Sequence, residues 1–218
     1  MKKIIALLFI IALAFSVGLL FWYSKKKIVT PPITGKTKVQ VAVSFYPLAH
    51  FTKKVGGDFV EVVSITAPGV EPHDYEPTAQ DIIKIRSSRL FIFNGKGLDP
   101  WAQRLREDLV SNGRRVIDMS AALESATTEY NTDPHIWLDL ALVSRQIDII
   151  GDVLSQLDPA HQEYFKERAA TYQRELSELD RAYRDGLAIC ERREVVVSHQ
   201  AFDYLGNRYR LAFFPIAG

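Results

Sequence analysis

One cysteine stands in 218 residues, so Cys190 cannot form a disulfide framework within the chain and is expected as a buried apolar thiol. Charge of either sign is not in excess: 27 Lys and Arg face 26 Asp and Glu. Bulk electrostatics therefore recruits neither nucleic acid nor an acidic substrate. An H-E-x-x-H helix is missing, which removes the common zinc-protease arrangement. The apolar run near the start is not followed by an A-x-A cleavage site, nor does a cysteine near its end offer itself to a lipid.

That run, Ile4 to Tyr23, carries no charge and sits between "MKK" and "SKKK". A membrane span needs about 20 apolar residues, whereas a secretory core needs about 7–15. Residues 1–27 are read as an uncleaved signal anchor with Trp22 and Tyr23 at the interface; cleavage near Ser24 is the alternative. Three lysines after the span and two before it favour, as a charge count alone, a cytoplasmic body. Residues 28–38, rich in Pro, Gly and Thr, read as a linker.

The body has 47% apolar residues to draw on across the chain, enough for a sizeable core. Strand-length runs at 39–45, 59–66, 90–95 and 115–119 alternate with helical segments. This rhythm predicts a parallel sheet with helices on both faces, and ligands in such sheets bind beyond the C-terminal strand ends. Thr78 and Asp81 have capping-box spacing, and Asp139 is a predicted N-cap. Asp158 and Pro159 are expected to cap and open a helix whose apolar residues Phe165, Ala169, Tyr172, Leu176, Leu179, Tyr183 and Leu187 form one stripe. From Ala160 to Leu187 it would run about 42 Å, a strut between lobes. Beyond it the strand, loop, helix, strand pattern restarts and reaches "FFPIAG". The expected fold is α/β, with two lobes of parallel-rich sheet joined by one long helix and the second lobe incomplete. The expected divisions are a metal-binding lobe at 39–158, a connecting helix at 159–189 and the start of a truncated second lobe at 190–218.

Of five histidines, three occupy matching settings: His73 in "EPHDYEP", His135 in "DPHIWLD" and His199 in "VVVSHQAFDYL". Each lies in a loop after a strand or before a helix. Three neutral imidazoles suit Zn²⁺ above all, since calcium and magnesium ask for oxygen. Asp74, Glu76, Asp133 and Asp139 are candidates to accept the remaining ring N–H groups. His50, on a short helix expected to pack on the sheet, is expected as a core histidine or one that supports the ligands from behind, and His161 is expected at the surface in the first turn of the long helix.

The pieces "VSFYPL", "VGGD", "PHDYEPT", "NGKGLDPW", "DPHIWLD", "LDPAHQEYF" and "VVVSHQAFDYL" together resemble the metal-binding solute-binding proteins of bacterial zinc and manganese ABC transporters. The resemblance implies His73 and His135 as first-lobe ligands and His199 as the first ligand from the second lobe. Histidine at 199, where manganese-type members tend to carry glutamate, favours zinc over manganese. The family's fourth ligand position, a late Asp or Glu or a water, has no counterpart before Gly218. The segment "ESATTEYNTD" replaces the long His-rich loop of some zinc members, so no auxiliary metal gathering is expected. The resemblance further implies a monomeric, non-enzymatic body outside the cytoplasm, held to the membrane by residues 4–23, that delivers its ion to a permease and its ATPase. A metal-binding surface adhesin and a zinc hydrolase are the rival readings; nucleic acid is not an expected partner.

Overall fold

"VQVAV" alternates so that Val39, Val41 and Val43 face one side of a sheet and Ala42 the other, all of them buried. A computed structural model describes residues 38–123 and 133–216; the expected anchor and nearly all of the linker lie outside them, as does most of the "ESATTEYNTD" segment. Strand β1 (Val39–Val43) leads through helix α1 (Tyr46–Gly56) to β2 (Val60–Ser64). Helix α2 (Ala79–Ser87), β3 (Leu90–Phe93), helix α3 (Pro100–Ser111), β4 (Arg115–Asp118) and the short helix α4 (Met119–Ala122) follow. The four strands are parallel in the order β2-β1-β3-β4. Chain direction across the sheet reverses at β1, with β2 on one side and β3 on the other, which opens a crevice at the carboxyl ends.

Two cores form because both faces are covered. Val41, Val43, Leu90 and Ile92 pack with Leu48 and Val55 of α1 and with Ile147, Ile150 and Leu154 of helix α5 (Leu140–Leu157). Phe91, Phe93 and Ala42 pack with Ile85 of α2 and Trp101 and Leu109 of α3. Every residue of "LFIF" is buried, as a central parallel strand requires.

Local signals act as the sequence predicts at two helix starts. Thr78 and Asp81 form the reciprocal capping box of α2, and the Asp139 carboxylate accepts from Ala141 N and Leu142 N at the start of α5. The third start differs. Pro159–His161 is a single 3₁₀ turn, and the Asp158 carboxylate takes the His161 Nδ1 at 2.6 Å instead of capping backbone amides. The ring of His161, expected at the surface, stacks on Phe59 at 3.8 Å between centroids. An aromatic neighbour and a paired carboxylate together make this a sheltered position.

Helix α6 (Gln162–Ala188) is about 40 Å long at 1.5 Å per residue. Its stripe is continuous in sequence but not in burial: Phe165, Ala169 and Leu176 are buried, whereas Leu179 and Tyr183 are 45% and 41% exposed. The first half lies against α1 and α5. The second half is joined through Asp180, which accepts from Arg208 and Tyr209, to helix α7 (Asp203–Tyr209); in sequence α7 lies between β5 (Glu194–Val197) and β6 (Ala212–Pro215), whose two strands pair in parallel. Cys190, expected in a core, is half-buried just after this less covered half, its Sγ 3.0 Å from the Arg192 carbonyl. Among the described residues no helix is long and apolar enough to cross a membrane.

Candidate metal centre

Pro72, restricted in φ, starts the 3₁₀ turn Pro72–Asp74, and the Glu71 carboxylate accepts the His73 amide at 3.5 Å. The loop is fastened beyond the turn. Tyr75 donates its hydroxyl to Asp81 Oδ2 at 2.7 Å, and the same oxygen accepts Thr78 Oγ1 at 2.6 Å and Thr78 N at 3.0 Å. Lys84 adds an ion pair at 2.9 Å. Although burial opposes it, this donor set drives the Asp81 pKa well below the carboxylate range, while burial and Asp81 push Tyr75 up to about 12.

His135 is buried and held from three directions. Asp133 Oδ1 accepts the His135 amide at 2.9 Å and lies 2.6 Å from its Nδ1. An ionised carboxylate can only accept, so Nδ1 carries a proton, and in the neutral ring Nε2 keeps its lone pair. Asn94, at the end of β3, donates its side-chain amide to the Pro134 carbonyl at 2.8 Å. Asn94 is fixed in turn by Asp99, which accepts the amides of Asn94 and Gly95 at 2.7 and 2.8 Å. The ring of Trp137 meets that of His135 at 5.2 Å and that of Phe45 at 4.8 Å.

His199 follows β5 and is exposed. The three imidazoles converge: ring centroids are 5.5 Å apart for His73 and His135, 5.8 Å for His73 and His199, and 5.3 Å for His135 and His199. One ring nitrogen from each lies within 4.8 Å of the others. His73 Nε2 is buried without a hydrogen-bond partner, a costly state for a polar atom unless something else coordinates it. Burial, then the positive neighbours that His135 and His199 become when protonated, lowers the His73 pKa from 6.5 and favours the neutral ring. Such a cluster can hold one divalent ion of borderline softness.

Of the four acids expected behind the imidazoles, only Asp133 holds a ring. Glu76 binds Arg104 with both oxygens at 2.9 Å, Asp139 caps α5 and faces Arg208, and Asp74 is exposed. His50 stays apart, half-buried with ring contacts to Tyr46, Phe51 and Tyr172. Asn94 and Glu71 escaped the sequence reading; the position of Asn94 directly after an all-apolar strand was the available signal.

A parallel α/β sheet covered on both faces, one long helix and a second small sheet define the class of solute-binding proteins. The chain belongs to the family described as zinc-uptake complex component A, periplasmic, whose profile matches residues 41–218. It is 31% identical over 196 residues to the high-affinity zinc uptake system protein ZnuA of Bacillus subtilis, covering 83% of this chain and 61% of that one. The crystal structure of the Zn(II)-bound ZnuA-like domain of Streptococcus pneumoniae AdcA superposes with TM-score 0.76 at 32% identity, over 83% of this chain and 67% of that chain. The laminin-binding protein Lbp of Streptococcus pyogenes superposes with TM-score 0.74 at 29% identity, over 84% and 69% of the two chains. The chain thus spans about three fifths of the Bacillus relative's length. The family's description is that of a periplasmic component of a zinc-uptake complex.

Proposed function

We propose that this chain captures Zn²⁺ between its two sheets, with His73, His135 and His199 as ligands, and passes the ion to an ABC permease driven by a cytoplasmic ATPase. The observation that carries the reading is the convergence of three ring nitrogens, from three separate loops, to within 4.8 Å of one another. Nitrogen donors at about 2.0–2.1 Å around a tetrahedral ion stand about 3.4 Å apart, so loading draws each imidazole inward by no more than roughly 1 Å. A water or a carboxylate completes the fourth position. No catalytic step is part of this reading: the ion is cargo, bound and released unchanged. Zinc-binding relatives and the three imidazole donors favour Zn²⁺ over Mn²⁺.

In the same reading residues 39–158 form the first metal-binding lobe, 159–189 the strut and 190–218 the start of the second lobe. Residues 4–23 anchor a monomeric body outside the cytoplasm. Calorimetric titration of the full chain in detergent micelles tests the site: His73→Ala, His135→Ala and His199→Ala should each weaken zinc binding at least about 10-fold, and an unchanged affinity in His73→Ala or His135→Ala removes the reading. The likeness to the laminin-binding protein supports adhesion as a second reading, and binding of immobilised laminin by the zinc-loaded chain distinguishes it.

A further inference from the structure

His199 is the exposed member of the triad, and a short helix, α7, follows it in the chain. Helix α7 sends Tyr204 across to the other side of the site. The Tyr204 ring is only 4% exposed and belongs to the same core as Val41, Leu48 and Ile136. Its hydroxyl donates to the backbone carbonyl of Asp133 at 3.2 Å. One turn further on, Arg208 reaches Asp139 Oδ1 at 3.3 Å with Nη1 and Asp180 Oδ1 at 2.7 Å with Nε. Side-chain exposures of 18%, 18% and 16% for Arg208, Asp139 and Asp180 shield these pairs from water. Asp180, on α6, also accepts the Tyr209 hydroxyl at 2.8 Å, which ties α7 to α6, and pairs with Arg184 of its own helix at 2.8 Å.

Asp133 and Asp139 are the two ends of the segment that carries His135. Tyr204 grips one end and Arg208 the other, from positions i and i+4 on one helix face. Asp133 is also the residue whose carboxylate fixes the His135 ring. The backbone that orients one imidazole is therefore the backbone on which the helix behind another is docked.

We propose that Tyr204 and Arg208 are positioning residues that set the distance of His199 from His135 and His73, so that the zinc site is preassembled through α7. The inference rests on the zinc reading above. Positioning differs from plain structural support because it acts through His199: without that imidazole, the placement of α7 has nothing to deliver to the ion.

A double-mutant cycle on the full chain tests this. Tyr204→Phe keeps the buried ring and removes only the hydroxyl; Arg208→Gln is the second variant, and thermal melting of the metal-free proteins checks their folding. Each should weaken zinc binding by about 10-fold, the lower range for groups that orient metal ligands. The visible absorption of the Co²⁺-loaded variants should fall in intensity as the ion leaves a tetrahedral environment. In a His199→Ala background the same substitutions should change zinc affinity less than 2-fold. Wild-type affinity in both single variants, or equal losses with and without His199, overturns the proposal while leaving the zinc reading intact. Failure of the wild-type chain to bind zinc overturns the reading itself and the proposal with it.

Discussion

Asp133 Oδ1 lies 2.6 Å from His135 Nδ1, and the same oxygen accepts the His135 amide at 2.9 Å. A single carboxylate thereby fixes both the backbone turn and the ring tautomer, leaving Nε2 for the ion. Its other oxygen is buried without a hydrogen-bond partner, so the group is committed to this one task at the cost of incomplete satisfaction.

Replacing Asp133 by Ala should weaken zinc binding by about 10–100-fold with the three imidazoles intact. Asp133→Asn, which can still accept one hydrogen bond, should lose less. Competition against a chelating dye measures both, and equal affinities for wild type and Asp133→Ala would contradict the assigned role.

Zinc affinity should depend on pH with a defined sign. His73 is held below 6.5 by burial and by its two imidazole neighbours, so protons compete for it only at more acidic pH than for an ordinary histidine. Affinity should change little between pH 8 and pH 7 and decline on further acidification. Calorimetry across a buffer series reads this directly.

Asp81→Asn should cost about 2 kcal/mol of stability near neutral pH, since hydrogen bonds to a charged acceptor are among the stronger ones. Because the folded pKa lies below the ordinary 3.8, this contribution is complete above about pH 4 and is lost as pH falls toward the folded value. Urea unfolding of wild type and variant at neutral and acidic pH should show the gap between them narrowing in acid.

Gly57→Ala should destabilise the chain by about 1–3 kcal/mol from backbone strain alone, because Gly57 has φ 53° and ψ -129°, a combination that residues with a Cβ rarely adopt. A methyl group there also meets the Tyr164 hydroxyl, which lies 3.5 Å from the Asp58 amide. A lowered urea midpoint with zinc affinity retained would place the effect at the junction of α1 and α6, away from the imidazoles.

Much of the framework was legible because its signals are local. The runs at 39–45, 59–66, 90–95 and 115–119 contain β1 to β4 with ends shifted by a few residues, and Thr78 and Asp139 cap the helices their spacing announces. His73, His135 and His199 stood out through their loop settings, and they do come together. The acids were harder to sort. Asp74, Glu76, Asp133 and Asp139 look alike in sequence, yet one holds an imidazole, one an arginine, one a helix start and one faces solvent. The stripe on α6 illustrates the same limit, since its period fixes which residues share a face but not what covers that face along the helix.

The sequence by itself determined element types, two of the three helix starts, the long helix and the three imidazoles, because periodicity, capping and donor chemistry are encoded within short windows. Tertiary structure alone decided that Asn94 supports Pro134, that Asp133 orients His135, and that Tyr204 and Arg208 of α7 straddle the His135 segment. Those pairings join residues far apart in the chain, and they exist only once the crossovers of the parallel sheet and the packing of α6 have brought the loops to one crevice.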